Sequence, residues 1–222
     1  MTADEADEVL AIVQRIGPVV MSSAVDMSGN NGASLRRLVG MMVADYNMVN
    51  MPTFAIVFGL CLDVARRCSA TVVTMDRVRK AALAETPVSL QATQTVLAIV
   101  RLTLACEGRI LSTMTFRSRD EVEAISVAVN AAFEQTSEIA ADDLDVDTYM
   151  KVIRLHGDIT AFLANQGRLL PRIITYRYQM AMPSLRMAQL VYAEPSRHTE
   201  LINENAVVHP AFMPLIGKML AV

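Results

Sequence analysis

Apolar residues recur at helical spacing from the N-terminus to about residue 165, and after Gly167 that rhythm stops. The chain therefore reads as a helical body followed by something smaller and different. Thr2 can cap a first helix with Val9, Ile12, Val13 and Ile16 on its apolar face, and Gly17-Pro18 should stop it. Ser28-Gly29-Asn30-Asn31-Gly32 carries a strong loop signal. Helices are expected over 34–50 and 53–68, with Pro52 breaking them, then over 74–85, before Pro87, and over 89–114. Ser118 and Glu121 have capping-box spacing and open a helix with Val122, Ile125, Val129, Ala132 and Phe133 on one face. A further helix over 147–165 should bury Met150, Ile153, Ile159 and Phe162 and end at Gly167. Two long helices joined by an acidic turn predict an antiparallel hairpin.

The segment Ile173-Ile174-Thr175-Tyr176-Arg177-Tyr178 is the one stretch with clear β-branched and aromatic enrichment. Pro183-Ser184 opens a helix through Tyr192, Pro195-Ser196 opens another through about Asn205, and a last strand is expected over 215–222. Strand, helix, helix, strand is a LysM-like order, with the two strands pairing antiparallel beneath the helices. The expected organisation is mainly α, a bundle of helical hairpins, with a small α+β module at the C-terminus. Residues 1–167 form the body, of which 1–33 can be a separate helix and loop, and residues 168–222 form the module.

The chain has 222 residues, enough for a substantial core. A hydrophobic content of 53% is high for a soluble protein and points to a large buried fraction or to apolar surface hidden against partners. A net charge of -3, with both signs mixed along the chain, gives no electrostatic footprint for nucleic acid. Cys61, Cys68 and Cys106 sit in apolar, helical surroundings without C-x-x-C spacing and read as buried free thiols. The acidic start M-T-A-D-E-A-D-E is unlike a secretory signal.

A membrane span needs roughly 20 mainly apolar residues. The best stretch, 38–62, is interrupted by Asp45, Asn47, Asn50 and Pro52, and Arg101 divides the run over 96–106. No membrane insertion is expected. The sequence has no H-E-x-x-H, G-x-S-x-G, G-x-x-x-x-G-K-[ST] or G-x-G-x-x-G run. His156, His198 and His209 are far apart in sequence, and no catalytic residue is assigned. Asp143, Asp145 and Asp147 begin like a calcium loop, but Thr148 replaces the turn glycine and Arg154 the bidentate glutamate. A solvated, helix-capping turn is expected there, and no metal or cofactor. Met41, Met42, Met48, Met51, Met180, Met182 and Met187 read as adaptable core filling, or as an adaptable partner surface.

The closing residues make physical sense together. Tyr192 can set its ring under the helix pair while its hydroxyl reaches water or a loop carbonyl. Asn203 and Asn205 can satisfy helix-end groups or take a left-handed backbone. His209 and Pro210 fix an extended turn, Phe212 is expected to insert into the small core, and Pro214 stiffens the approach to the last strand. These seven residues are expected to frame the module or to touch a partner.

With its tyrosine, polar helix, asparagine and His209-Pro210-x-Phe212-x-Pro214 run, the segment resembles the end of the DNA-circularisation protein family of Mu-type contractile phages. Ser118-Arg119-Asp120-Glu121-Val122-Glu123-Ala124 is similar to the start of that family's long helix, and Leu169-Leu170-Pro171 to the approach to its closing module. About residues 90 to 222 are covered. The chain departs from the family in its helical first ninety residues, where members carry a long β-rich domain, and in Glu194-Pro195-Ser196, where members place a Gly-Asp turn.

The resemblance implies a non-enzymatic structural protein of a contractile-tail baseplate. Its LysM-like end would clip hub or tube to wedge subunits near the sheath, in several symmetric copies, in the virion after assembly in the host cytoplasm. A peptidoglycan-binding module of a lytic complex is the alternative reading, and a membrane-active, holin-like phage protein is the third.

Overall fold

A computed structural model describes residues 2–44, 50–142 and 146–221. Among these residues there are nine α-helices and two strands, so the chain is mainly helical with a small two-stranded antiparallel sheet near its C-terminus. It divides into two compact units, Met1–Met114 with Ala131–Ile159, and Thr115–Asn130 with Thr160–Val222. The second unit thus takes in two helical segments besides the closing residues.

The first unit is built on α1 (Ala3–Ser23), α2 (Gly29–Ala44), α3 (Met51–Arg67), α4 (Val72–Leu83) and α5 (Leu90–Leu111). Thr2 begins α1 with a capping box, its Oγ1 accepting from Glu5 N–H at 3.3 Å while Glu5 Oε2 accepts from Thr2 N–H at 2.6 Å. The helix does not stop at Gly17-Pro18. Pro18 is exposed, and the apolar stripe of Val9, Ile12, Val13 and Ile16 continues through fully buried Val20. An interior proline costs about 3 kcal/mol. Burial of one large aliphatic side chain returns about 1.5–3 kcal/mol, so extending the stripe offsets the lost hydrogen bond.

The expected loop at 28–32 is also shorter than its composition indicates. Gly29, at φ 66°, makes the turn and Asn30, Asn31 and Gly32 already lie in α2. Gly32 sits so close against the Met27 carbonyl that any β-carbon there would collide with backbone. Small residues are required at this helix start for contact as well as for turn formation.

Helix α1 packs on α2, α4 and α5, α3 on α2 and α5, and α4 on α5. Their shared core includes Phe54 stacked on Phe58, with Leu35, Met42, Met75, Val78 and Ile99 around it. The fourth helix starts two residues earlier than expected, capped by Thr71, and the fifth starts as expected, with Ser89 accepting from Ala92 N–H at 3.2 Å. Glu8 reaches across from α1 and accepts from Val88 N–H and Ser89 N–H at 2.6 and 3.0 Å. One carboxylate so ties the first helix to the start of the fifth.

Helices α6 (Arg119–Asp142) and α7 (Val146–Arg168) contribute to both units. In the first unit Phe133 stacks on His156 with ring centroids 4.9 Å apart, and in the second Gly167 packs against Val122. Both pairings are those of an antiparallel hairpin. Ser118 caps α6 by accepting from Glu121 N–H at 3.2 Å, while Glu121 reaches one residue further back than expected, to Arg117 N–H at 2.9 Å. The apolar face of α7 is rotated from expectation: Val152, Ile159 and Leu163 are buried, Phe162 is half-buried, and Met150 and Ile153 are exposed. Val152, Leu155, Ile159 and Leu163 follow the helical period, whereas Met150 falls outside that stripe.

The second unit ends in β1 (Ile173–Arg177), α8 (Ser184–Tyr192), a 3-10 turn (Pro195–Arg197), α9 (His198–Glu204) and β2 (Ile216–Leu220). The strands pair antiparallel from Ile173 with Leu220 to Arg177 with Ile216. Tyr176, Met182, Met187, Ala188, Tyr192, Leu201 and Met213 form the core between sheet and helices. This is the expected strand, helix, helix, strand order.

Candidate functional site

A two-stranded sheet is at best marginal in water, so the groups that complete this one matter most. Two side chains engage the β2 edge, at Lys218 and Leu220. Asn205, at the end of α9, accepts from Lys218 N–H through Oδ1 at 2.7 Å and donates from Nδ2 to Lys218 C=O at 2.8 Å. Its amide thereby imitates a third strand. The same Nδ2 also donates to Leu201 C=O at 2.8 Å, satisfying a free carbonyl of α9.

Two residues further along, Leu220 N–H donates to the Tyr192 hydroxyl at 3.0 Å. The Tyr192 ring lies in the core and under the Arg197 guanidinium, 4.0 Å from its centroid, and Arg197 is held in turn by Glu200 at 2.7 Å. The partner of the Tyr192 hydroxyl is therefore a strand amide, where sequence pointed to water or a loop carbonyl. Burial pushes its hydroxyl above the ordinary tyrosine range, as it does for Tyr176.

Gly217 is required by these contacts. A β-carbon there would press on Asn205 Oδ1 and the Tyr176 ring and hydroxyl. The left-handed positions are taken by Ala193, φ 56°, and Ala206, φ 48°, each just past a helix end; Asn203 and Asn205 do not take them. Alanine there costs more than glycine would, because its β-carbon crowds the following carbonyl.

The remaining signature residues stand at the surface. Pro210 C=O accepts from Ser184 N–H at 2.7 Å, so it orders the start of α8. His209 is exposed, its Nδ1 accepting from Ala211 N–H at 3.3 Å, and its ring tilts on Phe212. Phe212 does not enter the core: it is 70% exposed, and Met213 is buried in its place. The turn at Pro210 rotates the chain so that the neighbouring methionine points inward, an outcome that residue type alone ranks the wrong way. Pro214 is half-buried ahead of β2, and Asn203 is exposed.

Three backbone hydrogen bonds join the loops on either side of the helix pair, from Tyr178 N–H to Leu215 C=O, Met213 N–H to Met182 C=O, and Ser184 N–H to Pro210 C=O, at 2.7 to 3.1 Å. These loops carry exposed Met180, Val208, Phe212 and Leu215. Of the methionines, Met42, Met182 and Met187 fill core, while Met41 and Met180 are exposed. Met48 lies outside the described residues, as do Asp143 and Asp145 of the acidic turn, and Asp147 pairs with Lys151 at 2.6 Å.

The first unit holds a charge cluster that no local pattern announces. Arg79, on α4, is buried and contacts Asp76, Glu107 of α5 and Gln135 of α6. The Arg79 Nε to Glu107 Oε1 separation is 3.4 Å without hydrogen-bond alignment, and both atoms are otherwise unpartnered and buried. Burial pushes the Glu107 carboxyl up to about 7, with Arg79 opposing that rise only in part. The three cysteines are free and buried, and burial raises Cys61 to about 12 and Cys106 to about 11. Such thiols are poor nucleophiles. Among the described residues no group of His, Cys, Asp and Glu is placed to hold a metal ion, and no helix is long and apolar enough to cross a membrane.

No protein-family model and no curated protein sequence matches the chain.

Two measurements check this geometry. Asn205→Ala should lower stability by about 2 kcal/mol, because it strands both polar groups of Lys218 and a carbonyl of α9, whereas Phe212→Ala should leave it nearly unchanged; urea unfolding of each variant compares them. Glu107 is held above the ordinary carboxylate value of 4.5 in the folded state, so the folded chain keeps this proton longer than the unfolded chain. Its contribution to stability is therefore lost as pH rises from about 4.5 to about 7. Glu107→Gln should remove a loss on the order of 2 kcal/mol across that window, read from urea unfolding at both ends of it.

Proposed function

We propose that the chain is a non-enzymatic structural subunit of a phage or phage-like contractile tail, mounted in the baseplate and fastened to its neighbours by the LysM-like module. The observation that carries this reading is the closing βααβ unit, in which Tyr192 and Asn205 hold the sheet edge from within. Residues of the signature are then used as framework, as a clip needs.

Two further features support the same reading. The loops joined beside the helix pair present Met180, Val208, Phe212 and Leu215 to the outside, an apolar surface suited to protein contact. Met150 and Ile153 on α7 add exposed apolar side chains to the helical body. Hub, tube and wedge subunits are the proposed partners, and repeated weak contacts gain strength from multivalency in a symmetric assembly.

Purified tail particles should contain the polypeptide in several copies per particle by quantitative mass spectrometry, and particles that lack it would sink the proposal. Insoluble peptidoglycan should fail to retain the purified chain; retention would favour a cell-wall module instead.

A further inference from the structure

Strand β1 leaves one edge of the module's sheet open. In an antiparallel pair, residues opposite one another alternate between those that exchange hydrogen bonds across the pair and those whose N–H and C=O point outward. Ala221 N–H donates to Arg172 C=O and Tyr178 N–H to Leu215 C=O, each at 2.7 Å. With the observed register, Ile174–Met219 and Tyr176–Gly217 are then the bonded pairs, and Ile173–Leu220, Thr175–Lys218 and Arg177–Ile216 point outward.

The two edges are treated differently. On β2, Asn205 occupies the outward groups of Lys218 and Tyr192 the outward N–H of Leu220, leaving among the described residues the outward groups of exposed Ile216 and the Leu220 C=O without a partner. On β1, Asp120 accepts from Ile173 N–H at 2.7 Å and the protection ends there. Thr175 and Arg177 are exposed, and among the described residues nothing reaches their outward N–H or C=O groups.

Side chains around the open edge differ between the two faces. Thr175 and Arg177 share the outer face with Ile216 and Lys218 of β2. Arg177 and Lys218 are exposed and belong to no ion pair among the described residues, so that face is basic at the open end. On the other face Ile174, 45% exposed, is the apolar residue nearest the edge. A strand added here would meet positive charge on one face and an apolar side chain on the other.

We propose that the β1 edge is the docking line of the module, and that it takes an extended segment of another protein in which acidic and apolar residues alternate, as a third strand. Main-chain hydrogen bonds to Thr175 and Arg177 would give the affinity, and acidic side chains beside Arg177, with Lys218 reaching over Thr175 from β2 on the same face, the selectivity. The inference rests on the reading that the module is the fastening end of the chain, and it names what the module fastens to.

The test uses the purified full chain and two short end-capped peptides, one alternating glutamate and valine, the other lysine and valine. The glutamate peptide should bind about ten-fold tighter or better, the preference should shrink in high salt, and binding should slow amide exchange at Thr175 and Arg177. Thr175→Pro deletes only an outward N–H and leaves the inner ladder whole, so it should abolish binding without shifting thermal unfolding. Should that variant fail to fold, Arg177→Glu with Lys218→Glu decides, since it should reverse the peptide preference. Equal binding of the two peptides, unchanged binding by Thr175→Pro, unreversed preference, or dimerisation of the chain through this edge would overturn the proposal. Absence of the chain from tail particles would leave these binding results as they are, so the two proposals fail separately.

Discussion

The amide of Asn205 is the interaction on which the C-terminal unit depends. Two short strands cannot supply enough hydrogen bonds or buried area to stand alone, and one side chain here takes the place of a missing neighbour by engaging both polar groups of Lys218. That contact fixes the end of α9 to β2. Tyr192 repeats the arrangement from α8, two residues further along the same strand. Both helices are thereby anchored on one strand, and their apolar residues close over Tyr176 and Met213. The consequence is an asymmetric sheet, engaged from within at Lys218 and Leu220 of β2 and open at Thr175 and Arg177 of β1.

The helical unit solves a different problem. Five helices bury a continuous apolar core, and within the unit a buried arginine joins two of them, α4 and α5, to α6. An ion pair of this kind does not by itself add stability, because two charges must leave water to form it. Its effect is to fix which helix faces which, since Arg79 finds Asp76, Glu107 and Gln135 together only in this arrangement. Glu107 carries the cost, as its raised affinity for a proton records.

The helices and strands were legible in the sequence because periodicity and caps act locally. Thr2, Ser89 and Ser118 begin their helices as their types indicate, and the order of the closing module follows from its apolar runs and its prolines. Pro18 and Gly32 were misleading because punctuation by proline and glycine is a local tendency that burial elsewhere can override. Phe212 and Asn205 show the larger gap. Which of two adjacent apolar residues turns inward depends on a turn made by Pro210, and the partner of Asn205 lies 13 residues away in the chain. The Arg79 cluster was invisible for the same reason: its members share no spacing, only a position in the folded unit.

The module engages β2 at Lys218 and Leu220 while the outward groups of Thr175 and Arg177 on β1 stay open. Amide hydrogen exchange on the isolated chain tests this asymmetry most directly. Lys218 and Leu220 N–H should exchange as slowly as the inner ladder amides of Ile174 and Tyr176, while Thr175 and Arg177 N–H exchange rapidly. Fast exchange at Lys218 and Leu220, or equal protection at Thr175 and Arg177, would contradict the account.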